Sequence, residues 1–118
     1  MSVTAAVRRS GDVSIIDFAG KITRGDASGI VRDTIRDVVN SGGRQILVNL
    51  REVTYIDSAG VGELAGAYVT LSKMSGVVKL LHPQSKVQDL LQITKLYAVL
   101  VAFDDEDTAL RSFAAASS

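Results

Sequence analysis

The sequence VTYIDSAGVGEL, at residues 53–64, lies between two stretches with different hydrophobic periods. Residues 46–50, just before it, are mostly apolar and partly β-branched, which is typical of a buried strand. After it, apolar residues recur at helical spacing, namely Leu64, Ala67, Tyr68, Leu71 and Met74. The stretch is therefore predicted to connect a strand to a helix.

Ser58 stands where this helix should begin, and serine is a favoured N-cap because its side-chain oxygen accepts a hydrogen bond from an unpaired amide. The carboxylate of Asp57, beside it, is favoured by the positive end of the helix dipole. Gly60, Gly62 and Gly66 follow, and a glycine inside a helix costs roughly 1 kcal/mol relative to alanine. Two explanations stay open. The glycines allow close packing against a strand or a helix, or they keep a flat surface clear for another protein.

The composition suits one compact domain, residues 1–118, with an aliphatic core, since 47% of the residues are hydrophobic and only 5% are aromatic. Thirteen basic residues balance thirteen acidic ones, which argues against a general binder of nucleic acid or of anionic membranes. The chain has no cysteine, which excludes disulfides, thiolate zinc sites and thiol catalysis.

The ends of the chain and its apolar runs carry no targeting signal that we recognise. The N-terminus lacks a basic start followed by an apolar core, so no signal peptide is predicted. The longest apolar run, residues 97–103, is far shorter than the roughly 18 residues of a membrane span. We therefore expect a cytoplasmic domain with no membrane span.

Hydrophobic periods and turn residues predict the order β-β-α-β-α-β-α-β-α, which indicates an α/β domain with a mixed, mostly parallel sheet and an N-terminal β-hairpin. The predicted strands are residues 2–9, 12–19, 44–50, 77–81 and 97–103, with residues 20–26 as a loop. Asp26 and Ser85 are predicted to cap helices, and a glycine after Asn40 is predicted to end the first helix. A last helix opens with residues 104–107, and residues 112–118 are expected to form a frayed tail.

The sequence IDSAGVGEL, at residues 56–64, resembles the signature of STAS domains, the family of anti-sigma factor antagonists, whose usual form is Ile-Asp-Ser-Ser-Gly-Leu-Gly before an apolar helix. Residues 20–22 are similar to the family's Gly-x-Leu/Ile after the second strand. Residues 91–96 are similar to its Leu-x-Leu-Thr-Gly-Leu segment before the last strand. The resemblance covers nearly the whole chain and implies a STAS-like fold.

In signalling members of this family, a partner kinase that is itself an anti-sigma factor phosphorylates the serine after the signature aspartate. The resemblance therefore implies that Ser58 is the phosphoacceptor. The unphosphorylated form would bind the kinase and free a sigma factor, the phosphorylated form would let go, and a separate phosphatase would reset it. ATP would be bound by the partner, and we expect no cofactor and no direct nucleic-acid contact. The implied partner-binding residues are Thr23, Arg24, Asp26, Asp57, Ala59, Gly60, Val61, Gly62 and Glu63.

Three departures from the family pattern matter. Ala59 replaces a common second serine, which leaves Ser58 as the only hydroxyl in the signature turn. Thr23 stands where signalling members often carry an aspartate, with Asp26 three residues further on, and Asn49 replaces a common aspartate. The change at Thr23 leaves an alternative open, a non-switching STAS subunit of a signalling scaffold or of a lipid-transport ATPase complex.

An enzyme or nucleotide-binding protein of flavodoxin-like type is the third possibility, and the residues disfavour it. The single histidine, His82, lies in a predicted loop beside a proline, so a Ser-His-acid catalytic triad is not credible. No second metal ligand is visible near it in the sequence. The glycines of the signature lack the lysine and the spacing of a phosphate-binding loop.

A phosphate on Ser58 is expected to meet free amides at the helix start, so the fold should tolerate it while the surface gains a strong charge.

Overall fold

A computed structural model describes residues 3–117, and the side chains of residues 3–114. Five strands and four α-helices alternate as the sequence predicts, with one 3₁₀ turn before the last strand. The strands are β1 Val3–Ser10, β2 Val13–Ile22, β3 Gln45–Ile56, β4 Val77–Leu81 and β5 Ala102–Phe103. The helices are α1 Asp26–Asn40, α2 Ser58–Lys73, α3 Ser85–Thr94 and α4 Glu106–Ser117. In this part of the chain no helix is both long and apolar enough to cross a membrane.

The five strands form one sheet in the order β1-β2-β3-β4-β5. β1 is antiparallel to β2, and the remaining neighbours are parallel, so the predicted mixed sheet with an N-terminal hairpin is confirmed. The predicted start of the first strand at Ser2 lies outside the described residues.

Helices cover both faces of the sheet, which explains the nearly continuous apolar run in β3. Ile46 and Val48 pack in the larger core, which also contains the buried residues of α1, α2 and α3. Leu47 points the other way and packs with Ala109 and Phe113 of α4. The central strand is therefore buried on both sides, as its composition predicts.

β2 and β3 are longer than predicted, and their extra residues carry the loops of the candidate site. β4 pairs with β3 only as far as Asn49, whereas β2 and β3 stay paired up to Ile22 and Ile56. The loop expected at residues 20–26 is therefore confined to residues 23–25, and the expected end of β3 at residue 50 is wrong. Two register shifts interrupt the pairing, so the alternation of apolar and polar residues that marks a strand is broken there.

The predicted last strand, residues 97–103, is mostly not a strand. Leu96–Ala98 form a 3₁₀ turn, and only Ala102–Phe103 pair with β4. Tyr97 and Val101 are 52% and 45% exposed, whereas Leu100 is buried, so only part of this apolar run lies in the core. Composition predicts an apolar segment, but it does not show whether that segment pairs with a neighbouring strand.

The helix ends differ from prediction at several positions. Gly25 is the N-cap of α1, at a φ of 101° that favours glycine, and Asp26 is already helical and makes no side-chain cap. Gln84 rather than Ser85 is the N-cap of α3. The predicted glycine at the end of α1 is confirmed, because Gly42 has a φ of 102° and donates its amide to the carbonyl of Val39 at 3.0 Å.

The last helix begins at Glu106, two residues later than predicted, because the carboxylate of Asp105 accepts the amide of Thr108 at 2.8 Å and caps it. The expected frayed tail, residues 112–118, overlaps this helix, which continues to Ser117. Ser118 lies outside the described residues.

Candidate functional site

The candidate site lies where β2 and β3 end side by side. After β3, Asp57 and Ser58 form the turn into α2, and after β2, residues 23–25 lead into α1. The amide of Asp57 donates to the carbonyl of Ile22 at 3.1 Å. In return, Oδ2 of Asp57 accepts the amide of Arg24 at 2.9 Å. Asp57 therefore joins the two loops, and it holds the backbone of Arg24 beside the residue that precedes Ser58.

Asp57, not Ser58, is the N-cap of α2, so the prediction of a serine cap is wrong. Its Oδ1 accepts the amide of Gly60 at 3.1 Å, and its carbonyl accepts the amide of Val61 at 3.1 Å. Ser58 is the first helical residue. The carboxylate has two oxygens, so one can accept from the neighbouring loop while the other accepts from the helix.

The Asp57 carboxyl is half-buried, and its hydrogen bonds keep it ionised. Burial pushes the pKa of Asp57 upward, but the backbone amides of Arg24, Gly60 and Ala59 outweigh it and bring the pKa below its usual value. The charge of the Arg24 side chain lowers this pKa further. The turn thus contains a bound negative charge. The amides of Ala59, Gly60 and Val61 already interact with Asp57, whereas the sequence analysis expected free amides.

The hydroxyl of Ser58 is not used to hold the turn together. The residue is exposed, and within the described residues its hydroxyl makes no hydrogen bond. A serine that served only to cap the helix would have its oxygen engaged by an amide. Asp57 accepts the hydrogen bonds that cap α2 and connect the two loops. The hydroxyl of Ser58 therefore has no structural role among the described contacts.

The glycines of α2 divide between the two explanations that the sequence left open. A Cβ at Gly60 would lie 2.6 Å from Cγ1 of Ile56 and 2.8 Å from the carbonyl oxygen of Ile22, so this glycine allows close packing against the sheet. A Cβ at Gly62 or Gly66 would meet nothing within 4 Å. These two glycines therefore leave the outer surface of α2 flat.

Among the residues expected to bind a partner, Gly60 and Val61 need correction. Gly60 is buried and Val61 is only 2% exposed, because both face the sheet. The exposed members of the set are Arg24, Asp26 and Gly62, and the partly exposed members are Thr23, Ala59, Asp57 and Glu63. The surface on which a partner could bind therefore contains fewer residues of the signature than expected, and it includes the loop after β2.

Glu63 is not merely a solvated side chain. Its Oε2 lies 3.1 Å from a guanidinium nitrogen of Arg32, so it forms an ion pair between α2 and α1. Thr23 has a backbone role, since its carbonyl accepts the amide of Ser28 at 3.0 Å within the loop. Both residues help to fix the two helices around the site.

Sequence reasoning missed a groove between α1 and α2 with a volume of about 350 Å³. Its floor includes Ile35, Val39 and Ala67, and Arg36 and Gly66 lie at its rim. The apolar stripe of α1 and the glycines of α2 were the available signals, but the sequence alone does not say that the two helices lie side by side.

Comparison with known proteins places this geometry in a family. The sequence profile of the STAS domain matches residues 4–109. The chain belongs to the STAS domain family. The resemblance stated from the signature is thereby confirmed, and the match includes both loops of the candidate site.

Relatives of this STAS domain include anti-sigma factor antagonists. A Thermotoga neapolitana protein that carries the provisional name of anti-sigma factor antagonist is 30% identical over 74 residues. The match covers 63% of this chain and 66% of that protein, so it spans just under two thirds of the relative's length. A crystal structure of an anti-sigma factor antagonist from Mycobacterium paratuberculosis is 22% identical with a TM-score of 0.82, covering 94% of this chain and 93% of that one.

A third comparison concerns a phosphorylated protein. The Bacillus cell fate determinant SpoIIAA in its phosphorylated form is 21% identical, with a TM-score of 0.72, and the match covers 92% of this chain and 99% of that one. At these identities the two solved structures show that the fold is shared.

Proposed function

We propose that this STAS domain is an anti-sigma factor antagonist that acts by partner switching. In this proposal the unphosphorylated domain binds an anti-sigma factor serine kinase and so releases a sigma factor, and phosphorylation of Ser58 ends the binding. The observation that carries the proposal is that Ser58 is exposed and that its hydroxyl makes no hydrogen bond among the described residues. One helical turn further on, Gly62 leaves the surface of α2 free of side chains. The relatives named as anti-sigma factor antagonists support it.

The proposed modification is a phosphoryl transfer in which this chain supplies only the hydroxyl. Oγ of Ser58 forms a bond to the γ-phosphorus of ATP held by the kinase, the bond from that phosphorus to the bridging oxygen breaks, and ADP leaves. The hydroxyl proton passes to a base of the kinase. A separate phosphatase then hydrolyses the ester with water to give serine and inorganic phosphate. We therefore propose a cytoplasmic binding module that needs no cofactor and catalyses nothing itself.

Local electrostatics are sufficient for the proposed switch. A phosphate adds a charge of about −1.5 to −2 to a turn that already holds the ionised Asp57. A partner that packs on this turn must remove water from that charge, which costs several kcal/mol when nothing compensates it. A micromolar complex has only about 8 kcal/mol of binding free energy, so the phosphate weakens such a complex greatly without any rearrangement of the fold.

The proposal is tested by incubating the pure protein with a candidate anti-sigma factor kinase and ATP, followed by intact-mass and peptide mass spectrometry. We expect a single added phosphate on Ser58 and none in Ser58→Ala. Ser85→Ala is the matched control, because Ser85 is also an exposed first residue of a helix, and it should be phosphorylated like the wild type. Full phosphorylation of Ser58→Ala would contradict the proposal. Stable co-purification with a transport ATPase or a signalling scaffold, without phosphate, would favour the non-switching subunit.

A further inference from the structure

A phosphate on Ser58 needs positive partners, and the start of α2 does not supply them freely. An anion at a helix start ordinarily binds the first free amides. Here the amide of Gly60 donates to Asp57 at 3.1 Å, and the amide of Ala59 also stabilises the Asp57 carboxylate. A phosphate that bound these two amides would have to displace this carboxylate, whereas a cationic side chain nearby would leave it in place.

Arg24 is the cation that the fold places beside this turn. Its amide lies 2.9 Å from Oδ2 of Asp57, the residue that precedes Ser58. Its side chain is exposed and makes no ion pair within the described residues. The influence of its charge on the pKa of Asp57 agrees with a position close to the turn.

The other charged groups around the turn are less suited to this task. Asp26, at the start of α1, carries the wrong sign, as does Asp57. Arg32 of α1 is paired with Glu63 of α2 at 3.1 Å, so its charge is already engaged. Lys21 is exposed on β2, where it pairs with Tyr55 rather than lying in the loop that contacts Asp57.

We infer that Arg24 pairs with the phosphate on Ser58, and that this side chain, rather than the helix amides, neutralises the phosphorylated turn. The inference rests on the proposed phosphorylation of Ser58. A guanidinium binds phosphate oxygens through two parallel, charge-assisted hydrogen bonds, which a lysine does not reproduce. Arg24 keeps its backbone bond to Asp57 in both states, so only its side chain has to move.

The test installs phosphoserine at position 58 by genetic incorporation, which requires no kinase. The second pKa of the phosphate is then measured by phosphorus NMR titration in the wild type, Arg24→Gln and Arg24→Lys. A neighbouring cation favours the dianion, so we expect this pKa to rise by about half a unit or more in Arg24→Gln and by less in Arg24→Lys. The difference should shrink in concentrated salt, because the pair is exposed.

Arg9→Gln is the matched control. Arg9 is an exposed arginine of β1 that pairs with Ser14, near the start of β2 and far from the end of β2 that leads to the site. Its replacement should leave the phosphate pKa unchanged. Arg24→Gln retains the backbone donor to Asp57, and equal unfolding midpoints of the unphosphorylated forms would verify that the turn is intact. An identical phosphate pKa in wild type and Arg24→Gln would overturn the inference. That result would not bear on whether a kinase modifies Ser58, so the two proposals fail separately.

Discussion

Asp57 determines the geometry of the candidate site because its two carboxylate oxygens bind different segments. One accepts the amide of Arg24 from the loop after β2, and the other accepts the amide of Gly60 in α2. Ser58 was predicted to be the cap because serine and aspartate are both favoured there, and the sequence could not decide between two neighbours. The prediction was wrong by one residue, and this difference leaves the serine hydroxyl available.

Replacing Asp57 with alanine should destabilise the fold by about 1–2 kcal/mol, because the helix loses its N-cap and the two loops lose their connection. The change is measured as the free energy of unfolding in denaturant at neutral pH. Asp26→Ala is the control, since Asp26 is exposed in the first turn of α1 and makes no cap. We expect it to cost a few tenths of a kcal/mol.

The effect of Asp57→Ala on stability should depend on pH. The pKa of Asp57 in the folded state is lowered, so the ionised carboxylate stabilises the fold above its unfolded pKa of about 3.9. That stabilisation is lost as the pH falls through the folded pKa. The difference in unfolding free energy between wild type and Asp57→Ala should therefore shrink in acid. A difference that stays constant from neutral pH to strongly acidic pH would contradict this account of the carboxylate.

At the scale of the element, α2 has two faces with opposite requirements. Its inner face packs on the sheet, so Gly60 and Leu64 are buried, whereas Gly62 and Gly66 leave its outer face flat. The helix therefore contains glycine for two separate reasons. The sequence showed the three glycines but not which explanation applied to each.

Alanine substitutions should separate the two reasons. Gly60→Ala forces its Cβ against the backbone oxygen of Ile22, at 2.8 Å, and should destabilise the protein by about 1–3 kcal/mol. Gly62→Ala meets no neighbouring atom and should stabilise the helix by up to about 1 kcal/mol. Thermal and denaturant unfolding of both variants measure this. Changes of the same sign in the two variants would show that the division of the faces is wrong.

How well the elements could be predicted depended on the regularity of their pattern. The apolar stripe of α1 is a regular helical repeat, and Val31, Ile35 and Val38 are buried as predicted. The ends of β2 and β3 were missed because the register shifts disrupt the two-residue alternation. The last strand is shorter than predicted because residues 97–100 are apolar but do not pair with β4, although Leu100 packs in the core, and only tertiary structure shows this.

At the scale of the whole molecule, ion pairs connect parts of the chain that are distant in the sequence. Arg8 of β1 binds Asp17 of β2 and Glu106 of α4, each at 2.7 Å, although Arg8 and Glu106 are far apart in the sequence. The order of elements predicted this architecture, but no local pattern indicated the ion pairs. A phosphate on such a scaffold should alter the surface at Ser58 far more than the fold.

The central claim, that the charge on Ser58 controls partner binding, is tested most directly by the affinity of the anti-sigma factor kinase for defined forms of the domain. Isothermal titration calorimetry would compare the wild type, Ser58→Ala, and the protein carrying phosphoserine at position 58 or at position 85. We expect equal affinity for wild type, Ser58→Ala and the form modified at position 85, and roughly 100-fold weaker binding for the form modified at position 58. Equal affinity for the two phosphorylated forms would contradict the account.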